Sequence, residues 1–438
     1  MEADGFLHRF VSPRGVSAVF NALTLEITTD PRCVSPFDPE TLLESYRSFC
    51  SSPSVTMATF FVTGDCPRKC GYCFVPGAMG TMTETEVDHG LAMLSDLAPG
   101  KADILIYGGE PLLKPGIVLR IIRGSGDDRN LCLATGGWDL SRDVANAMAE
   151  RNGFVIVSID GARSVHNDLR PFSEGDSYES AVKTFHAFRD AGCRVGISLT
   201  VTKGNAHSVR EDFGHLMETL KPDDMGLNAW MHPGPGFCSN PFEARWEDVF
   251  YAVTGCLSDA LSAGIYVEQL FRRLRPLVTR VPRLRDCPSR GGRLVFVPGG
   301  GVSPCDCMAA AGVNTVRDRE GIKGLLSDFS TLVPVFREGC LSCPCVALCG
   351  GGCLYDALAC TGCLSGVREE RCRYERALLG WMVGTILDHQ PRDRAPGVLT
   401  VGEMTGFLPD GILEKVRMPQ PEAMLGGEMR CPKRDGSN

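Results

Sequence analysis

The pattern of apolar and polar positions changes character along this chain of 438 residues. From about residue 56 to 235, short β-rich runs alternate with stretches whose apolar residues recur at helical spacing. The runs predict strands over Met57–Val62, Asp103–Tyr107, Leu131–Thr135, Phe154–Ile159, Arg194–Val201 and Met225–Trp230. The amphipathic stretches predict helices over Glu84–Leu97, Ser141–Arg151, Ser177–Ala191 and Ser208–Leu220. Strands alternating with helices make a parallel sheet through right-handed crossovers. Six such units suit an α/β fold of the partial (β/α)6 TIM-like barrel type better than a closed eightfold one.

The flanks read differently. Residues 1–55 predict a small hairpin and a helix packed on the barrel as an N-terminal extension. Residues 236–286 form a helical bridge. Residues 287–375 are rich in Cys and Gly with little regular periodicity, as expected where metal ligation replaces an apolar core. Residues 376–438 continue one more helix, spanning 373–389, into a Pro- and Gly-rich tail that is expected to be loosely ordered after Pro391. There is no tandem repeat.

Charge and hydropathy narrow the function classes. A formal charge of -8 argues against nucleic acid as a partner, since such proteins carry a basic face. No apolar run approaches the ~18 residues that cross a bilayer, which argues against a membrane partner. The opening residues MEADGFLHRF lack the basic start and apolar stretch of a signal peptide, so the expectation is a cytoplasmic protein.

Cysteine is the departure from ordinary composition. There are 21, three of them within residues 66–73 and eleven from Cys287 to Cys372. In a reducing compartment such clusters point to metal or redox chemistry rather than disulfides. Cys33, Cys50, Cys132, Cys193, Cys238, Cys256 and Cys431 are scattered and read as small buried hydrophobes or inert thiols.

The first cluster, Thr63-Gly64-Asp65-Cys66-Pro67-Arg68-Lys69-Cys70-Gly71-Tyr72-Cys73, directly follows the first strand of the barrel. Thiolates are the usual iron–sulfur ligands, and three of them leave one iron of a four-iron cluster open. An open position is what a reactive metal centre needs. Structural zinc is the competing reading, but it wants a fourth ligand, and no further Cys or His is near in sequence.

C-x-x-x-C-x-x-C after the first strand, with an aromatic residue before the last cysteine, resembles the signature of the radical S-adenosylmethionine (SAM) superfamily. The resemblance implies a 4Fe–4S cluster on Cys66, Cys70 and Cys73, whose open iron chelates SAM. One-electron cleavage of the cofactor would yield a 5′-deoxyadenosyl radical that abstracts hydrogen from a substrate, with the electron delivered by a reductant such as ferredoxin or flavodoxin. Gly108-Gly109-Glu110 follows the second strand and is similar to the family's GGE motif, which holds the methionine amino group. Val157-Ser158-Ile159-Asp160-Gly161, followed by His166, Asp168 and Arg170, is similar to a further family pattern whose Ser and Arg contact the cofactor. The resemblance therefore assigns Tyr72, Gly108, Gly109, Glu110, Ser158 and Arg170 to SAM. Asp160 and His166 can equally be loop-capping residues. The third strand departs from the family, ending Thr135-Gly136-Gly137 where relatives often have Thr-Asn-Gly. All these motifs fall at carboxyl ends of expected strands, where β/α barrels place their sites.

The second cluster reads Cys287-x12-Gly300-x4-Cys305, then Cys340-x2-Cys343-x5-Cys349-x3-Cys353, then Cys372. This order resembles the SPASM domain of peptide- and protein-modifying radical SAM enzymes. Eleven cysteines without a ligand His also suit iron–sulfur clusters better than zinc ribbons. The resemblance implies two auxiliary 4Fe–4S clusters, an outer one on Cys340, Cys343, Cys349 and Cys372 and an inner one on Cys287, Cys305 and Cys353. Relatives supply the fourth inner ligand just before the position of Cys287, but residues 281–286 contain no Cys. Cys307 or Cys256 could serve, or the iron could stay open for substrate. Cys345, Cys360 and Cys363 read as a reserve or as structural thiols. Asp306 is the candidate base by resemblance to sulfatase-maturing members; hydrogen bonding to a cluster sulfur is the alternative.

The implied function is a radical SAM oxidoreductase acting on a peptide or protein, to form a thioether or carbon–carbon cross-link or a formylglycine. One alternative is oxidation of a small molecule, a sugar or a haem precursor. An alternative from another class is a non-catalytic metal-binding scaffold.

Overall fold

The structure, a computed structural model, describes residues 3–99, 102–173, 175–229, 241–409 and 412–414. Its first segment is the expected hairpin, β1 (Leu7–Val11) against β2 (Ser17–Asn21), widened by the short β3 (Ile27–Thr28). Helix α1 (Pro39–Cys50) follows, started by Asp38, whose carboxylate accepts from the Glu40 amide, and by proline at the first helical position. Its Leu43, Tyr46 and Cys50 are buried in the main core.

The barrel runs β4 (Met57–Phe61), α2 (Glu84–Leu97), β5 (Asp103–Tyr107), α3 (Pro115–Gly124), β6 (Leu131–Thr135), α4 (Arg142–Glu150), β7 (Phe154–Ser158), α5 (Arg163–Leu169), α6 (Ser177–Asp190), β8 (Arg194–Val201), α7 (Val209–Leu220) and β9 (Met225–Ala229). Every strand and helix expected between 56 and 235 is present, with ends displaced by a residue at most among the described residues. Strands β4 to β9 are parallel and adjacent in sequence order, so the wall curves one way and never doubles back. Phe60, Ile104, Ile106, Leu133, Val155, Val157, Ile197 and Leu199 are fully buried or nearly so. Trp230, the end expected for the sixth strand, and Cys238 and Cys431 lie outside the described residues.

After β9 come the expected helices, α8 (Trp246–Ala263) and α9 (Glu268–Thr279). The cysteine-rich region then does something its composition conceals. A hairpin of β10 (Arg293–Val297) and β11 (Gly301–Ser303) joins the barrel sheet, β10 pairing parallel with β4, so the sheet has eight strands in the order β11-β10-β4-β5-β6-β7-β8-β9. All five residues of β10 are buried, including Arg293, whose guanidinium donates to Thr59 Oγ1 on β4 at 3.1 and 2.9 Å. A five-residue run is too short to stand out among glycines and cysteines, and its one charge hides it further. Five helices complete the region: α10 (Asp306–Ala310), α11 (Arg319–Ser330), α12 (Glu338–Leu341), α13 (Leu354–Thr361) and α14 (Glu369–Asp388). The tail is more ordered than expected up to residue 409. Thr29 N donates to Gly397 O at 3.0 Å, and α15 (Val401–Thr405) starts with a capping box between Thr400 and Glu403. Residues 415–438 lie outside the described residues.

Candidate functional site

The loop carrying Cys66, Cys70 and Cys73 leaves β4 and is pinned at both shoulders. Thr63 Oγ1 shares a hydrogen bond with Thr81 Oγ1 at 2.8 Å, and Gly64 N donates to Gly80 O at 2.8 Å. On the far side Lys69 N donates to Pro171 O at 2.9 Å, and Arg68 forms a β-bridge with Phe172. The three thiols stand within electrostatic reach of one another. Burial pushes Cys70 up to about 11, the negative charge of Cys73 adding to it, and burial likewise raises Cys66. Thiols held neutral by burial become ligands when a cation sits among them, because the ion inverts the local balance. Among the described residues no three Cys, His, Asp or Glu side chains are disposed as ligands of a single metal ion. A four-iron cube takes one thiolate per iron and asks for a wider triangle.

Gly108 and Gly109 face that loop's backbone. A Cβ on Gly108, whose φ is +146°, would lie 2.6 Å from Thr63 O, and one on Gly109 would strike Asp65 O. The glycines thus let β5 press against the cysteine loop, and Gly109 N and Glu110 N donate to Thr63 O and Asp65 O at 2.7 and 2.8 Å. Glu110 is fully buried and saturated: Oε1 accepts from Thr135 Oγ1 at 2.6 Å and Leu112 N at 3.1 Å, and Oε2 from Gly136 N at 2.9 Å. Its charge partner is Arg68, Nη1 to Oε2 at 3.7 Å. Arg68 was missed by sequence reasoning because a basic residue between two cysteines reads as solvated; in the fold it is buried, stacked 4.4 Å over Phe172 and bonded to Gly137 O at 2.6 Å and Ser177 Oγ at 3.0 Å. Gly136 now has a reason: a Cβ there would lie 2.8 Å from Arg68 Nη1.

Asp160 is the hub of the second network. Burial works to raise its pKa, but Arg170 outweighs that and holds it below the usual carboxylate range. Arg170 Nε donates to Oδ2 at 2.7 Å, Thr200 N donates to Oδ1 at 2.9 Å, and the Tyr72 hydroxyl donates to Oδ2. Tyr72 is thereby tied to the barrel floor beside Cys73, and Arg170 lies 5.4 Å over its ring. His166 Nδ1 accepts from Asp160 N at 3.3 Å, and burial drives its pKa down to about 3, so it is a neutral capping residue. Ser158 ends β7, half-buried, opposite Ser198 on β8.

The C-terminal cysteines fall into two groups. Cys340, Cys343, Cys349 and Cys372 line one cavity of about 50 Å³, with Cys345 and Cys353 also in its wall, so Cys353 lies between the two groups. Cys305, Cys307, Met308 and Tyr355 form a separate packed cluster with Cys353 against it, and the charge of Cys287 is felt at Cys353. Cys256 belongs to neither; it lies on α8 against Val209 O, among Asp259, Arg210 and Asp212. Cys360 sits beside Asp356, and Cys363 is exposed next to Ser365.

Buried donors face both groups. Arg290 is fully buried and donates from Nη2 to Gly351 O and Gly352 O at 2.5 and 2.9 Å, yet its Nε and Nη1 have no hydrogen-bond partner. It stands in the field of both Cys287 and Cys349. The buried Tyr355 hydroxyl also has no partner and lies in reach of Cys307, Cys305 and Cys353. Orphaned donors of this kind are costly unless something accepts from them. Clusters of negative net charge with exposed sulfurs fit both groups.

The cysteine sets communicate through packing. Phe74, directly after Cys73, packs on the cluster that holds Cys305 and Cys307, and its ring stacks on Tyr107 at 6.3 Å. Tyr107 feels Asp306, Cys73 and Cys307 in turn. Asp306 pairs with Arg293 Nη2 at 2.8 Å, while its Oδ1 is buried without a hydrogen bond.

An open parallel β/α barrel with three cysteines on the loop after its first strand, and glycine- and carboxylate-bearing loops around them, defines a class of cofactor-binding fold. Residues 60–218 match the family model of the radical SAM superfamily. The family's cofactors are a 4Fe–4S cluster and SAM, which the three thiols fit. Among curated proteins the chain is similar to the Fe-coproporphyrin III synthase of Methanosarcina barkeri, 26% identical over 164 residues, 37% of this chain and 41% of that protein. It is also similar to the pre-heme d1 synthase of Dinoroseobacter shibae, 28% identical over 209 residues, 46% of this chain and 49% of that protein. Each match spans less than half of the relative's length. Among solved structures, anSMEcpe with bound AdoMet superposes with a TM-score of 0.64 at 16% identity, over 76% of this chain and 98% of that one. Streptococcus suis SuiB bound to the precursor peptide SuiA gives 0.54 at 15%, over 77% and 82%. The fold likeness thus extends well beyond the barrel.

Proposed function

We propose that this chain is a radical SAM enzyme that oxidatively modifies a peptide or protein, through a cross-link or formylglycine. The observation that carries the reading is the contact of the two cysteine regions: Phe74 beside Cys73 packs on the cluster of Cys305 and Cys307. An enzyme that only starts a radical needs one cysteine loop; one that also removes an electron from the product radical needs a second centre within reach.

SAM on a reduced four-iron cluster supplies the one-electron chemistry that creates a hydrogen-abstracting radical. This chain's residues do the rest. Cys66, Cys70 and Cys73 hold the cluster. Glu110, with Arg68, fixes the loop after β6 and the cysteine loop against each other, and so sets the walls of the SAM site. Arg170 and Asp160 orient Tyr72 beside the third cysteine. Ser158 offers its hydroxyl at the carboxyl end of β7. Phe74 and Tyr107 keep water out between the centres. The Asp306 carboxylate, held by Arg293 through Oδ2, is the base of this reading, its Oδ1 without a hydrogen bond being the atom to take a proton from substrate. Cys340, Cys343, Cys349 and Cys372 hold the outer cluster; Cys287, Cys305 and Cys353 belong to the inner one. A soluble electron donor and a polypeptide substrate are the partners of this reading.

A second reading, oxidation of a tetrapyrrole, is favoured by the names of the curated relatives. One experiment divides the two. Iron-loaded, reduced protein is given SAM with either a panel of cysteine- and serine-containing peptides or iron coproporphyrin. Substrate-dependent 5′-deoxyadenosine, with loss of two hydrogens from a peptide, is the expected result. Turnover on the tetrapyrrole alone selects the second reading, and no SAM cleavage under any condition removes both.

A further inference from the structure

We propose that Cys307 is the fourth protein ligand of the inner iron–sulfur cluster, completing a set with Cys287, Cys305 and Cys353. The inference rests on the reading of the cysteine-rich region as a cluster domain and deepens it. It assigns a ligand in a chain whose residues 281–286 offer none.

The placement of the thiols carries it. Cys305 is the N-cap of α10 and Cys307 the second residue of that helix, so one turn presents two sulfurs two residues apart, with Asp306 between. Cys353 is likewise the N-cap of its helix, α13, where its sulfur, unlike that of Cys305, accepts from Asp356 N at 3.4 Å. Cys305, Cys307 and Cys353 belong to one packed cluster with Met308, Leu354 and Tyr355. Cys307 is 3% exposed and Cys305 7%, so neither is a surface thiol. The fourth member is tied in from the sheet: Arg293 on β10 lies in the field of Cys287, Cys305 and Cys307 together.

The competing candidates fail on position. Cys256 faces Val209 O between α8 and α7, away from the group. An iron left open for substrate would need free space beside the other three sulfurs, and the Cys307 thiol is in contact with Cys305 there. The Tyr355 hydroxyl, fully buried and without a hydrogen-bond partner, is a second and independent sign of an absent acceptor at this spot. A cluster sulfur would satisfy it. The functional consequence is specific: with four protein thiolates the inner cluster is coordinatively closed. It takes up an electron and does not ligate the substrate.

The test uses the full iron-loaded chain and its Cys307→Ala, Cys307→Ser and Cys256→Ala variants, read by iron content, Mössbauer spectra and electron paramagnetic resonance after mild oxidation. Cys307→Ala is expected to lose one iron from the inner cluster and show a three-iron signal, or to lose that cluster alone. Cys307→Ser, where an oxygen can still ligate, should keep more iron than the alanine variant with altered spectra. Cys256→Ala should match the parent protein. Parent-like iron and spectra in both Cys307 variants overturn the proposal, as does a parent inner cluster whose spectrum changes on adding free cysteine. A parent chain that saturates near roughly four irons refutes the underlying cluster-domain reading instead.

Discussion

The two cysteine regions are built on opposite principles. The barrel is a self-sufficient apolar scaffold: β4 to β9 bury nearly continuous hydrophobic faces, and its cysteines ride on a loop pinned by backbone hydrogen bonds. The C-terminal region has two short strands, helices that range from four to twenty residues, and a large share of buried charge. At its border with the helical bridge Arg273 pairs with Glu375 and Arg283 with Asp286, all four nearly or fully out of solvent, and within it Arg290 is buried with two donors unanswered. Buried pairs contribute little net stability, and orphaned guanidinium donors subtract from it. The difference predicts that the barrel holds its structure without metal, whereas the second region depends on what it binds.

The largest effect should come from taking the metal away. Chelation of the iron-loaded protein should leave amide-exchange protection in β4 to β9 close to its starting level and sharply reduce it across residues 287–372. Equal loss of protection in both regions would erase the contrast. Next comes the chemistry. Replacing Cys66, Cys70 and Cys73 together by Ala should abolish 5′-deoxyadenosine formation while the chain keeps roughly eight of about twelve irons, four per cube. Undiminished cofactor cleavage in that variant would remove these cysteines from the mechanism. A smaller effect sits in the barrel's own charge pair. Glu110→Ala leaves Arg68 buried and unpaired and should cost ~3–5 kcal/mol in denaturant unfolding. Glu84→Ala, which breaks an exposed pair with Arg120, should cost ~0–1 kcal/mol. Similar losses from both would mean that Glu110 acts only on the cofactor.

The contrast also explains what could be read in the chain. The barrel's elements announce themselves because period-2 and period-3.6 patterns are the direct imprint of a two-layer apolar core. The β10–β11 hairpin was invisible for the reason that makes the region unusual: it borrows its core from β4, and its buried Arg293 breaks the pattern. Cysteine spacing located the thiols but not their company. Arg68, Arg290, Arg293 and Tyr355 are single residues placed by tertiary contacts, and no local period marks them. His166 and Asp160, open between function and capping in the sequence, are resolved by geometry: His166 caps, and Asp160 holds Arg170 and Tyr72.

The smallest effect concerns acid. His166 has its folded pKa driven to about 3 by burial first and by the positive charge of Arg170 next, well under the ordinary histidine value of 6.5. Unfolding therefore takes up a proton at any pH between those values, and stability must rise with pH across that window. The contribution is complete above ~6.5 and is lost as pH falls, at ~1.4 kcal/mol per unit. Asp286 responds in the same direction but later, whereas burial raises Asp356 to about 6 and makes it respond the opposite way. Asp286, held well below the usual range by Arg272 and Arg283 against the opposing effect of burial, loses its contribution only as pH drops beneath the ordinary carboxylate range. Mild acid should thus weaken the barrel before it touches the ion pairs of the second region. His166→Gln keeps an amide to accept from Asp160 N and reach Ser177, but it cannot titrate. Denaturant unfolding followed through the barrel at about pH 7.5, 6.5 and 5.5 should show the parent chain losing ~1 kcal/mol relative to the glutamine variant over the last step. Parallel pH profiles for the two proteins would show that His166 is not what makes the barrel acid-sensitive.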